Sequence, residues 1–187
     1  MFTGIVEATA KVLQRDETGF RLARPKHFSE LQHGQSIACN GACLTLTGFD
    51  AESLRFDIIP ETFARTNLAT ADPINLERAL AAHGRFEGHV VLGHVDATTE
   101  LVARTPEGEG ERWRFALPQE IAPFVVEKGS ICLNGISLTI AGCADDWLEI
   151  ALIPTTLAVT NLAGLQPGAT VNVEADYFAK LLYKWRT

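Results

Sequence analysis

The chain states much of its sequence twice. "NGACLTLTGFD" at residues 40–50 returns as "NGISLTIAGCA" at residues 134–144, an interval of 94 residues. "IPETFARTNL" at 59–68 returns as "IPTTLAVTNL" at 153–162 with the same interval. "INLE" at 74–77 reappears as "VNVE" at 171–174, and the opening "GIVEATAKV" from Gly4 has its counterpart in "GHVDATTEL" from Gly93. Four blocks in one order make a tandem duplication, joined near "AAHGRFEG" at 81–88. The repeat constrains the fold, because each half must be a unit that can exist twice and pack against its own copy. A chain of 187 residues, 47% of them hydrophobic, has material for two small cores.

Each half reads as strands. "SIACNGACLTLTGF" is strand, Asn-Gly turn and strand, a strong short-range hairpin signal. "LRFDII" and "WLEIALI" alternate apolar and polar residues, and "AVTNLAGLQPGATVNVE" reads as strand, Gly/Pro turn and strand. Residues 25–31 and 118–125 are each expected to form a helical turn or a short helix between strands. The fold class is therefore all-β: two six-stranded Greek-key β-barrels with short helices, since closure removes vulnerable sheet edges. The expected boundaries are 1–86, 87–175 and a C-terminal segment, 176–187. In that segment Phe178, Leu181, Leu182 and Trp185 fall at i, i+3, i+4 and i+7, an amphipathic stripe read as an association helix.

A net charge of −7 without clustered Lys or Arg excludes a nucleic-acid surface. No run approaches the roughly 20 apolar residues of a membrane span, and the N-terminus lacks the pattern of a signal peptide. Cys39, Cys43, Cys132 and Cys143 have no CxxC spacing, which points to reduced thiols in the cytoplasm and to no metal site. The two Asn-Gly copies differ at one reactive position: Cys43 in the first is Ser137 in the second.

"MFTGIVE", "NGACLTLT", "GHV" at 93–95, "EKGSICLNGISLTI" and "VNVEAD" together resemble the riboflavin synthases built from two barrel domains, across residues 1–176. The resemblance implies conversion of two 6,7-dimethyl-8-ribityllumazine molecules into riboflavin and 5-amino-6-ribitylaminouracil by transfer of a four-carbon unit. It implies one lumazine per barrel, a working site between the N-barrel of one subunit and the C-barrel of its neighbour, a homotrimer, and lumazine synthase as a pathway neighbour. The chemistry is a dismutation without net redox change, so no cofactor is expected. Carried over by motif, Cys43, His94, Lys128, Ser137, Thr139 and Asp176 are the catalytic candidates. Gly4, Ile5, Val6, Ser36, Leu44, Thr45, Asp57, Ile58, Ile59, Pro60, Glu61 and Thr62 would border the N-half site. Gly93, Val95, Leu138, Leu152, Ile153, Pro154, Thr155, Thr156 and Leu157 would border the other.

One lumazine donates carbons and the other accepts them, and Cys43 against Ser137 would distinguish the roles. A methyl group on the electron-poor ring must lose a proton, and His94 is the acid–base candidate because imidazole titrates close to neutrality. His83 and His89, beside the join, are read as structural. The competing reading is a non-catalytic lumazine- or flavin-binding protein of the same fold. A barrel-based flavin reductase is excluded by the lack of a G-x-G-x-x-G loop and of the length for a nucleotide domain.

Overall fold

A computed structural model describes residues 1–186; Thr187, the end of the expected 176–187 segment, lies outside the described residues. The first half contains β1 (Ala8–Ala10), β2 (Val12–Asp16), β3 (Gly19–Ala23), β4 (Ser36–Cys39), β5 (Ala42–Phe49), β6 (Ser53–Asp57), α1 (Pro60–Arg65) and β7 (Ile74–Arg78). The second contains β8 (Ala97–Glu107), β9 (Gly110–Ala116), β10 (Ser130–Leu133), β11 (Ile136–Cys143), β12 (Trp147–Leu152), α2 (Pro154–Val159) and β13 (Thr170–Ala175), followed by α3 (Tyr177–Trp185). The second half is a closed barrel in the order β10-β11-β12-β9-β8-β13. The first has the same topology, β1-β7-β4-β5-β6-β3-β2, with the strand equivalent to β8 broken at Lys11 into β1 and β2.

The Asn-Gly hairpins form as expected. Asn40 and Gly41 take φ of 45° and 80°, and Asn134 and Gly135 take 46° and 80°, the left-handed pair of a two-residue turn that matches strand twist. Both hairpins lead into a bulge at the same point of the repeat, between Leu46 and Gly48 and between Ile140 and Gly142. Alternation then sends Leu44 and Leu46 into the first core beside Leu22, Phe56 and Leu76, while Cys43 and Thr45 face outward. The second core gathers Leu101, Trp113, Phe115, Ile131 and Leu148.

One local expectation is corrected. "AVTNL" at 158–162 reads as strand but forms the end of α2 and the start of the 3₁₀ turn Asn161–Gly164. Pro154 stands at the first helical position after an extended Ile153, which starts a helix without an N–H to lose, and Pro60 does the same for α1. Of the two stretches read as a helical turn or short helix, 118–125 forms the 3₁₀ turn Ala122–Phe124, and 25–31 forms a hydrogen-bonded turn from Pro25 to Phe28.

The two turns meet back to back. A Cβ built on Gly41 would lie 2.8 Å from the backbone nitrogen of Gly135, so no side chain fits there. Around this contact, Asn40, Asn67, Asn75, Asn134, Asn161 and Asn172 are buried and bond to one another across the halves. Asn67 Nδ2 donates to Asn134 Oδ1 at 3.0 Å, Asn75 Nδ2 to Asn161 Oδ1 at 2.9 Å, and Asn161 Nδ2 to Asn40 Oδ1 at 3.0 Å. Amides carry both donors and acceptors without charge, so this network joins the barrels with its polar groups satisfied.

At the C-terminus, Asp176 caps α3 by accepting from the Phe178 N–H at 2.8 Å, and Lys180 Nζ donates to Asp96 at 2.8 Å. Tyr183 packs edge-on against Phe124, ring centroids 5.4 Å apart. The apolar stripe stays uncovered, with Leu182 74% and Trp185 85% exposed. No helix among the described residues is long and apolar enough to cross a membrane.

Candidate active sites

The site residues lie on the outer faces of the hairpins, and the chain crosses over to cover them. In the first hairpin Ser36 pairs with Thr45 and Ala38 with Cys43, so the four side chains share one outward face. What lies on that face comes from the second half: the Cys43 N–H donates to the Gly93 carbonyl at 2.8 Å, and Val95 packs against the first core. In the second hairpin Ser130 pairs with Thr139 and Cys132 with Ser137. There the cover comes from the first half: the Ser137 N–H donates to the Gly4 carbonyl at 2.7 Å, and Val6 packs against the second core. Gly4 and Gly93 have φ of 77° and 81°, and a Cβ on either would fall 2.7 Å from Ser137 Cβ or 2.5 Å from Cys43 Cβ. Only glycine allows this approach.

This revises the sequence grouping. Gly4 and Val6 belong over the second hairpin at Ser137 while Ile5 stays on the cleft of the first barrel, and Gly93 and Val95 belong over the first hairpin at Cys43. The reason is tertiary: the two straps pair with each other, Phe2 and Val91 exchanging backbone bonds of 2.7 and 3.2 Å, and each then continues onto the opposite barrel. Phe2 is fully buried at the crossing among Ala38, Val91 and Cys132, against Cys43.

The remaining candidates divide by exposure. Thr45, Thr139, Asp57, Ile59, Pro60, Glu61, Ile153, Pro154 and Thr155 are exposed, and Ser36, Thr62, Leu138, Thr156 and Leu157 are half-buried along the strand ends and the starts of α1 and α2. Leu44, Ile58 and Leu152 are core residues that offer a ligand only their backbone. Lys128 is exposed in a left-handed turn at φ 65°, held by its N–H on the Ile140 carbonyl just before the bulge of β11. Ile5 and Ser36 share a cleft of about 580 Å³ with Glu77, Arg78 and His83.

His89 is the residue that sequence reasoning set aside. Its Nδ1 lies 2.7 Å from Ser137 Oγ, its N–H donates to the Thr3 carbonyl, and its ring is 7% exposed with Nε2 unpaired among the described residues. The segment 89–94 thus brings one imidazole to Ser137 and carries a second, exposed, at the residue after Gly93. No repeat signal marks His89, because its counterpart would precede Met1; its nearness to "GHV" was the available clue.

Burial holds the His89 imidazole below its ordinary value of 6.5, opposed by the charge of Asp176. The unfolded chain binds this proton more readily, so the group's contribution to stability is full above about pH 6.5 and is lost as pH falls towards the folded value. His89→Gln is expected to flatten that acid-side loss in urea titrations run at about pH 7.5 and about pH 5.5. An unchanged slope would count against a buried neutral imidazole.

Two barrels fused by duplication, each offering an outward face of hydroxyls or a thiol under a crossed strap, define a tandem small-molecule-binding protein with two related and unequal sites. The lumazine binding domain matches twice, at residues 3–79 and 92–176. Riboflavin synthase of Mycobacterium tuberculosis is 44% identical over 96% of this chain and 95% of its own length. That of Bacillus subtilis is 37% identical over 99% and 89%, and that of Schizosaccharomyces pombe 38% over 98% and 93%. LumP crystallised with riboflavin shares the fold at a TM-score of 0.83 and 25% identity, covering 94% of this chain and 99% of that one. The chain belongs to the riboflavin synthases and is an enzyme of riboflavin formation.

Proposed function

We propose that each crossed site holds one 6,7-dimethyl-8-ribityllumazine and that a four-carbon unit passes from one to the other, leaving riboflavin and 5-amino-6-ribitylaminouracil. The observation that carries this reading is the pair of equivalent faces, Ser36/Cys43/Thr45 and Ser130/Ser137/Thr139, each met by a strap from the other half. Identical substrates need a common binding mode, which the duplication supplies. Different fates need different chemistry, which the unequal residues supply: Cys43 with His94 on one side, Ser137 with His89 on the other. Backbone groups of the straps suit the imide edge of the ring, and Ser and Thr hydroxyls suit the ribityl chain. Much of the acceleration is positional, as ideal placement of two reactants is worth about 7–11 kcal/mol.

The Phe2–Val91 pair stands between the two hairpin faces, so rings bound on them in one chain are held apart. Stacking them therefore calls for the N-barrel site of one subunit and the C-barrel site of the next. Such a head-to-tail contact closes into a ring, and we read the uncovered stripe of α3 as its means and three subunits as its number. Free thiols support a cytoplasmic setting. Lumazine synthase, which by its name supplies the substrate, is the pathway neighbour in this reading.

The test is direct. Purified protein given only the dimethylribityllumazine is expected to form riboflavin, and calorimetry to count two ligand sites per chain. Cys43→Ser and His94→Gln are each expected to lower turnover about 10- to 100-fold while riboflavin affinity stays within a few-fold, the pattern of an interaction made in the transition state. Binding without turnover in the wild type would favour the non-catalytic alternative.

A further inference from the structure

Two buried carboxylates occupy equivalent places in the barrels and hold the straps. Glu174, on β13 and 3% exposed, accepts the Leu92 N–H on Oε1 at 2.7 Å, and the Gly93 and His94 N–H groups on Oε2 at 2.9 and 3.0 Å. Glu77, on β7 and 6% exposed, accepts the Thr3 N–H and hydroxyl on Oε1 at 2.7 and 3.1 Å, and the Gly4 N–H on Oε2 at 2.9 Å. Neither has a salt bridge among the described residues. Burial pushes both acids up, against the hydrogen bonds that favour the ion. A buried carboxylate is costly without donors, and here the hydrogen-bond donors are mainly the backbone groups that fix each Gly strap, with the charge of Lys180 also favouring the Glu174 ion and that of Glu7 opposing the Glu77 ion.

We infer that Glu77 and Glu174 are positioning residues for the site of the opposite barrel: Glu174, in the second barrel, sets the 93–95 strap over Cys43, and Glu77, in the first, sets the 4–6 strap over Ser137. The inference rests on the proposed lumazine sites and adds that each depends on a carboxylate from the other half of the chain. Glutamine cannot substitute. Both carboxylate oxygens accept, and an amide has one oxygen, so its NH₂ must face an N–H and orphan at least one strap donor. The strap then shifts by the fraction of an ångström to which a site is sensitive.

The test reads the two sites separately in a Ser137→Cys parent, where each hairpin face carries one thiol that is not fully buried, Cys132 being shut under Phe2. Iodoacetamide labelling is followed by mass spectrometry with increasing riboflavin, and protection of each thiol reports occupancy of its site. In the parent, riboflavin is expected to slow labelling at both positions; slowing at neither refutes the sites themselves, and the inference with them. Glu174→Gln is expected to raise the riboflavin needed to protect Cys43 at least tenfold and leave the introduced thiol protected as before. Glu77→Gln is expected to do the reverse. Equal loss at both thiols, loss at the thiol of the mutated barrel, or no change at either overturns the inference. Glu174→Asp and Glu77→Asp, which keep the charge but withdraw it by one methylene, are expected to show the same side preference more weakly. Failure of both the Gln and Asp variants to fold would make these residues determinants of folding instead, and would also overturn it.

Discussion

Replacing Phe2 with alanine is expected to disable both sites at once, although the residue belongs to neither hairpin. Its ring is fully buried where the two straps cross, touching Ala38 and Cys43 of the first hairpin and Cys132 of the second. Its backbone pairs with Val91, which leads to Gly93 in one direction and to His89 in the other. Truncating a buried phenylalanine costs about 3–5 kcal/mol through lost burial and the cavity left behind. The cavity here opens under both straps, so turnover is expected to fall by at least about a hundredfold, the scale of a 1 Å misplacement. Phe2→Leu, which keeps most of the volume, is expected to retain far more of both stability and turnover. Urea unfolding and steady-state turnover are the two measurements. A Phe2→Ala enzyme with normal kinetics would show that the straps are held without the crossing.

Cutting the chain after Asp176 is expected to separate binding from catalysis. The cut removes α3, whose Leu182 and Trp185 project into solvent, but leaves both hairpins, both straps and the asparagine network. Each truncated chain should still bind riboflavin at two sites. It should sediment as a monomer, and its turnover should fall by at least about a hundredfold because two rings no longer meet. Replacing Leu182 and Trp185 together with glutamate is expected to do the same while keeping the Lys180–Asp96 contact that fixes the base of the helix. Full turnover in a truncated monomer would place both reacting rings within one chain.

The repeat, the Asn-Gly hairpins, the exchange of Cys43 for Ser137, and the amphipathic tail were legible in the sequence because each is a local pattern: an interval, a turn dipeptide, a single differing position, a helical stripe. The helices α1 and α2 were not, since six residues are too few to show an apolar period and only the proline at the first helical position marks each of them. The exchange of straps was illegible for a different reason. Motif order assigns Gly4 to the first half and Gly93 to the second, and nothing local to either says that its carbonyl meets Ser137 or Cys43 across the molecule. His89 was hidden by the same fact, because its role depends on where the strap lands.

The exchange of straps also bears on how such a chain arose. Take the first half alone: its 4–6 segment is shaped to lie on a hairpin it does not contain, and its own Cys43 face lacks the segment that covers it. A solitary half is therefore incomplete in two complementary ways, and a second copy of itself repairs both, with the asparagines of one turn meeting those of the other. Joining two such copies in one chain turns what would be an exchange between two molecules into one within a single polypeptide. Once the copies were joined, each could change without its twin, so the face with a thiol and the face with a hydroxyl no longer had to be encoded by the same codon.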